Sequence, residues 1–302
     1  MTERVRVGTR RSPLARVQTD LVLSQLARVA PTWRFDTIPV ETSGDRDRSL
    51  GSSPDFTDAI DRALVEGSID LAVHSAKDLP VVLDSRLTLL ACPRRADPRD
   101  CLLVASARDT RDLPRGAKVG SSSLRRRAQL LRWRPDLTVV EIRGNVGTRI
   151  GLVQSGAIDA AILAVAGVAR LGRSAEINRI LPVTTFLPAP AQGALAVVAR
   201  WDDALLTPVV SRLDHAATRA CVSAERAFAA ALGGDCQVPL GALAKRHEQS
   251  ISLQGEVLTP NGRTALRGRR RGRLSEAVRI GSTLGTEMLE RGALDLITPT
   301  RQ

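Results

Sequence analysis

Ala117–Leu137 reads AKVGSSSLRRRAQLLRWRPDL. A short apolar strand ends in a glycine, and three hydroxyl residues follow. A helix carrying three consecutive arginines then runs until Pro135 stops it. The chain opens with the same pattern. In Val5–Leu26, VRVGTRRSPLARVQTDLVLSQL, an alternating strand ends at Gly8. Ser12 and Pro13 then supply an N-cap and a first-turn proline, and the helix is predicted to run to about Arg28. A second pair of segments matches in the same way. ALVEGSIDLAVHSAKDL (63–79) and GLVQSGAIDAAILAVAGV (151–168) each give a helix end, a glycine, Ile-Asp and a buried apolar strand. The chain therefore reads as two similar α/β units of strand–helix–strand pieces. Such units are expected to face each other across a cleft, with ligands at the carboxyl ends of the strands.

The tail breaks the pattern. AATRACVSAERAFAAAL is a helix, GGDCQVPLGA a loop, ISLQGEVLTPNGRTALRGRR a hairpin about Pro260-Asn261-Gly262, and SEAVRIGSTLGTEMLERG a closing helix. This is a small α+β third domain, and Arg269–Arg271 reads as a solvated hairpin arm. The division is domain 1 from residues 1–93 and 190–212, domain 2 from 94–189, and domain 3 from 213–302.

The formal charge is +12, and the basic residues are almost all arginine: with Lys77, Lys118 and Lys245 the only lysines, 41 of the 44 are Arg. Arginine offers a planar fork that meets carboxylates and phosphates two bonds at a time. So basic a chain raises the question of nucleic acid, but three Trp, four Phe and no Tyr make a poor base-stacking platform. No zinc-finger or P-loop pattern is present. No apolar run reaches the ~20 residues of a membrane span, and Met1–Pro13 lacks the apolar core of a signal peptide. The expectation is a cytoplasmic protein with no nucleic-acid or membrane partner. The four cysteines (92, 101, 221 and 236) show no paired metal spacing.

A helix N-terminus presents free N–H groups and a partial positive charge. Ser121 and Ser123 add hydroxyls there, and Arg125 and Arg126 add forks. EIRGNVGTR adds Arg143 and Arg149, and Arg10 with Ser12 mirrors the arrangement in the first half. These groups predict binding of a ligand with several negative charges, carboxylate or phosphate. Lys77-Asp78 follows the strand IDLAVHSA, where a carboxylate beside cations stays ionised and could accept N–H bonds or pair within the loop. His74, on that strand, reads as a packed core residue. Cys236, in the glycine-rich loop LGGDCQVPLG, is either a nucleophilic thiol or an inert one.

The segments VGTRRSPLA, DLAVHSAKDLP, DPRD, VGSSSLRRRAQL, RPDL, IRGNVGTR, DAAILAVAGVARLG, LPAPAQGALA, AERAF and CQVPLGA together closely resemble the porphobilinogen deaminase (hydroxymethylbilane synthase) family. They occur in the family's order over almost the whole chain. The resemblance implies two type II periplasmic-binding-protein-like domains, a small C-terminal domain and a monomer. It implies the head-to-tail condensation of four porphobilinogens with loss of ammonia, then hydrolytic release of hydroxymethylbilane. It also implies a dipyrromethane cofactor held as a thioether on Cys236 and a catalytic aspartate at Asp78, which steadies an azafulvenium-type cation. Arg10, Ser12, Lys77, Ser121, Ser123, Arg125, Arg126, Arg143, Arg149 and Arg170 match positions that bind the acetate and propionate arms of cofactor and substrate. Gln192 falls in the cleft-crossing segment.

The chain departs from the family at four places. The lid segment about Arg46–Phe56 is shorter and lacks the family's GKG and lysines. Asp235 replaces a glycine beside the tethering cysteine, where a carboxylate disfavours thiolate. Ser121 replaces threonine, and Ala191 replaces the first glycine of GQG. A catalytically impaired paralogue, or a protein that only binds a carboxylated ligand, is the alternative reading; Asp78 and Cys236 favour the enzyme.

Overall fold

The computed structural model describes residues 3–46, 56–105, 113–233 and 238–297. They fall into two compact units, Met1–Ala96 with Gly193–Arg219, and Asp97–Gln192 with Ala220–Gln302.

The first unit begins with β1 (Arg4–Arg10), α1 (Pro13–Val29) and β2 (Arg34–Val40). Ser12 caps α1, its hydroxyl accepting the Ala15 N–H at 3.2 Å, and Pro13 stands in the first turn. The helix ends at Val29, one residue beyond its expected end. The turn α2 (Ser43–Arg46), then α3 (Asp58–Val65), β3 (Leu71–Ser75) and β4 (Leu87–Ala91) complete this stretch, with one 3₁₀ turn at Ala76–Asp78.

The second unit takes over at β5 (Asp100–Val104), followed by β6 (Lys118–Gly120), α4 (Leu124–Trp133), β7 (Thr138–Val140), α5 (Val146–Gln154), β8 (Ala160–Ala164), α6 (Val165–Arg170) and β9 (Arg179–Ile180). The chain returns to the first unit for β10 (Leu195–Arg200) and α7 (Thr207–Val210). Next comes α8 (Ala216–Ala231), whose later part belongs to the second unit, followed by β11 (Leu240–His247), β12 (Ser250–Leu258), β13 (Ala265–Arg273), α9 (Ala277–Glu290) and α10 (Ala293–Ile297).

The repeated sequence pattern becomes repeated topology. The first unit has a five-stranded sheet in the order β2-β1-β3-β10-β4, and the second has β7-β6-β8-β5-β9. In each, four strands run the same way, and one antiparallel strand brought from elsewhere in the chain, β10 or β5, is inserted between the third and the last of them. The central strands are apolar on both faces, as parallel strands covered by helices must be. The Ile-Asp pairs do the same job twice. Asp70 accepts the Arg6 N–H at 2.9 Å, and Asp159 accepts the Lys118 N–H at 2.7 Å, each closing the start of its first strand.

The last part of the chain is an antiparallel sheet, β11-β12-β13, under α8 and α9. Its core joins Phe228, Leu253, Val257, Ile280, Leu284 and Met288. The hairpin about Pro260-Asn261-Gly262 is present. β11 was not anticipated: the expected loop ends at Ala242 and no element was assigned to Leu243–His247, yet Leu240–His247 forms an eight-residue strand against β12. This stretch has its own sheet and core, yet it clusters with the second α/β sheet.

Candidate active site

In the first unit, β1, α1 and β3 bring Arg10, Ser12, Gln18, His74, Ser75 and Asp78 around one small cavity, with Phe56 at its wall. The strand end and the helix start share this spot because α1 begins only two residues after β1. The Arg10 guanidinium stacks on the Phe56 ring, 4.0 Å from its centroid. Gln18 and Ser75 hydrogen-bond each other, at 2.8 Å from the amide N–H. Asp78 is half-buried on the turn after β3, and among the described residues its carboxylate has no hydrogen-bond or ion-pair partner. Lys77 is half-buried beside it and is not part of the cavity wall. His74 is buried, and burial together with Arg10 pushes its imidazole down to about 4. It is therefore neutral near pH 7, and the Asp61 carboxylate at 3.8 Å is too distant for a hydrogen bond. A packed His74 is what the sequence reading expected.

In the second unit, α4 carries the arginines. Ser123 caps it, accepting the Arg126 N–H at 3.4 Å, and the Ser121 hydroxyl accepts the Ser123 N–H at 3.2 Å. Ser122 donates to the Ile142 carbonyl. Arg149, on α5, donates to Gly144 O at 3.0 Å and to the Ser122 hydroxyl at 3.4 Å, joining the IRGNVGTR loop to the serine run. Arg143 pairs with Glu141 at 2.6 Å. Arg170 ends α6, and burial pushes its guanidinium down to about 10.

Arg125 and Arg126 are both buried on Asp100, a carboxylate with no exposed surface. Burial alone would raise the Asp100 carboxyl, but Arg125 and Arg126 together hold it well below the usual carboxylate range. The two arginines differ in what they have left. Arg126 spends all three nitrogens, on Asp100, on the Ile162 carbonyl at 3.2 Å and on the Gln192 carbonyl oxygen at 3.4 Å. Arg125 spends one terminal nitrogen on Asp100 (2.7 Å), Gln129 (3.0 Å) and Leu187 O (2.8 Å). Its Nε is buried without a partner. Gln192 donates to Pro98 O at 2.7 Å and to Asp100 at 2.9 Å.

The sequence reading treated both arginines alike, and the structure separates a committed Arg126 from an Arg125 with donors in reserve. Asp100 went unremarked as a functional group. Its signal was the final acid of DPRD, a charge at the start of the apolar strand DCLLV, which can be buried there only if paired. Gln129 and Glu256 gave no signal at all. Cys236, Asp235 and most of the lid segment about Arg46–Phe56 lie outside the described residues. Among the described residues there is no cluster of His, Cys, Asp and Glu able to hold a metal, and no helix long and apolar enough to cross a membrane.

Two family models match the chain. "Porphobilinogen deaminase, dipyromethane cofactor binding domain" covers residues 5–207, and "Porphobilinogen deaminase, C-terminal domain" covers residues 219–290. The chain belongs to the porphobilinogen deaminase family. Relatives of that name include one from Roseiflexus sp. (strain RS-1), 44% identical over 98% of this chain and 99% of its own length. Another, from Thermus thermophilus, is 41% identical over 98% of each chain. Among solved structures, the methionine-binding protein MetQ covers 70% of this chain and 89% of its own at 12% identity and a TM-score of 0.47. A putative methionine-binding lipoprotein from Bacillus subtilis gives 10% identity and a TM-score of 0.46 over 70% of this chain. The chain has the α/β fold that the resemblance implied: two matching five-stranded sheets and a small C-terminal α+β part.

Proposed function

We propose that this chain acts as a hydroxymethylbilane synthase in porphyrin biosynthesis, with Asp78 as its catalytic carboxylate. It condenses porphobilinogen head to tail with loss of ammonia. The observation that carries this reading is Asp78 itself, unpaired among the described residues, on a cavity shared with Arg10 and Ser12. A carboxylate held there accepts pyrrole N–H bonds, and it offsets the positive charge that grows as ammonia departs. Arg10 and Ser12 present donors to an acetate or propionate arm.

The same donor set suits dipyrromethane, which carries carboxylate arms and pyrrole N–H groups. Asp78 would accept the N–H groups, and Arg125 has an unpartnered Nε to offer a carboxylate. Ser121, Ser123, Arg143, Arg149 and Arg170 are assigned to the remaining arms, Lys77 to an arm near Asp78, and Cys236 to the thioether tether. When bound, the dipyrromethane supplies the primer that the growing chain extends. Each added porphobilinogen brings two more carboxylates, which is why a ligand of this kind calls for so much arginine. Gln192 holds Asp100 and Arg126 and serves the site through them.

We assign the enzyme to the cytoplasm as a monomer. Cys92, Cys101 and Cys221 are buried, and the cysteines show no paired spacing, in keeping with a reducing compartment. Intact mass of the purified protein tests the reading. An adduct equal to a dipyrromethane, lost in Cys236→Ser, is expected; an unmodified mass from a cell that makes porphobilinogen contradicts it.

A further inference from the structure

Glu256 is a carboxylate with no exposed surface on β12. It accepts the Gln129 amide N–H at 2.7 Å and the Arg267 Nε–H at 2.5 Å. Gln129 also donates to Leu187 O at 3.0 Å, and its carbonyl oxygen accepts from Arg125 at 3.0 Å. The line thus runs Arg267, Glu256, Gln129, Arg125, Asp100, Arg126, Gln192, all within the second unit.

The chemistry of the line has a direction. A carboxylate only accepts, so Glu256 draws the amide nitrogen of Gln129 toward itself. That leaves the amide oxygen facing the Arg125 guanidinium, the one orientation in which Gln129 helps to hold it. The fold makes room for this contact at two glycines. Gly241 lies opposite Glu256 in the β11–β12 register, and a Cβ there would come within 2.9 Å of Leu187 O and 3.4 Å of the Gln129 nitrogen. Gly262, in the hairpin turn, lies so close to α4 that a Cβ would fall 2.2 Å from Ala128 O. The C-terminal sheet is therefore seated directly on the helix that bears the arginines. Burial works against the charge of Arg125, and Asp100 and Glu256 both work in its favour.

We propose that Glu256 is a positioning residue for the reaction: acting through Gln129, it fixes the Arg125 guanidinium so that its spare donors meet a carboxylate arm of the tetrapyrrole. This rests on the reading of Arg125 as a ligand contact. Glu256→Gln keeps the shape and removes the charged one of the two acceptors that hold the Gln129 nitrogen, leaving Leu187 O alone to orient the amide. The test is a double-mutant cycle on the holoenzyme with Glu256→Gln and Arg125→Lys, measuring KM and kcat for porphobilinogen and the thermal midpoint. Glu256→Gln is expected to raise KM roughly tenfold, the effect of one lost hydrogen bond to a charged group, with a smaller change in kcat. Added to Arg125→Lys, it is expected to raise KM no further.

An unchanged KM in Glu256→Gln, or additive effects in the cycle, overturns the positioning role while leaving the Arg125 contact intact. Normal KM in Arg125→Lys overturns both. If Glu256→Gln does not fold, Glu256→Leu with Arg267→Leu replaces the ion pair by an apolar pair of the kind that often preserves stability. That variant is then expected to show the same raised KM, and a wild-type KM in it overturns the proposal.

Discussion

The two five-stranded sheets share a hydrogen-bond frame and differ in where they put charge. Register aligns them residue by residue: Val7 and Gly8 pair with Leu71 and Ala72, as Val119 and Gly120 pair with Ala160 and Ala161. On that alignment His74 corresponds to Leu163, and Asp78 to Gly167. The antiparallel strand starts with Leu195 in the first sheet and with Asp100 in the second, opposite Ser75 and Ala164. The first half thus has an apolar strand start and a carboxylate on the turn beyond. The second has a buried carboxylate in the strand and a glycine in the helix beyond. One scaffold is used once to set a carboxylate beside a cavity and once to anchor cations. The difference teaches that the repeat conserves backbone pairing, while the chemistry sits at positions the pairing leaves free.

The largest expected effect comes from making the second sheet like the first. Asp100→Leu strands two buried guanidiniums, and breaking a buried pair of this kind costs about 3–5 kcal/mol; denaturant unfolding reads it. Because Asp100 is held below the usual carboxylate range, its stabilisation is present above about pH 4 and is lost as pH falls further. The variant should lack that segment of the pH profile.

His74→Leu makes the reverse change, giving the first sheet the residue of the second. A folded value lowered from 6.5 to about 4 means stability is full above pH 6.5 and declines as pH falls toward 4. That decline is about 2 kcal/mol by pH 5, and unfolding curves at pH 7 and pH 5 should converge in the variant. The paired aspartates give a smaller effect. Asp159→Asn, with one N–H contact, should cost about 1 kcal/mol in unfolding free energy. Asp70→Asn should cost more, because Arg6 also holds that carboxylate, at 2.7 Å. Smallest is Ala191→Gly in the segment leading back to the first sheet. Ala191 sits at φ 59°, and glycine there should raise the thermal midpoint by the equivalent of less than about 1 kcal/mol.

Much of the frame was legible in the sequence because it is periodic. Ser12-Pro13, the serine run before α4, the two Ile-Asp pairs and the NG hairpin are local signals, and each produced the element expected. β11 was missed because Leu240–Ala244 is short, alanine-rich and preceded by a glycine-rich loop, so nothing nearby distinguishes strand from loop. The proposed site residues were named by type and by family resemblance, but their partners were not legible. Asp100 is 25 residues from Arg125, and Glu256 is 127 from Gln129. Pairings at such separation leave no periodic trace, so the contrast between Arg125 and Arg126 emerges only in three dimensions.

The central claim is that the first half contributes the reacting carboxylate and the second the charge-holding framework. The measurement that tests it is the rate of ammonia release from porphobilinogen by Asp78→Asn, compared with wild type at equal thermal stability. We expect an unchanged unfolding midpoint, since the Asp78 carboxylate has no partner among the described residues, and a rate at least ~100-fold lower. A rate within a few-fold of wild type would contradict the account.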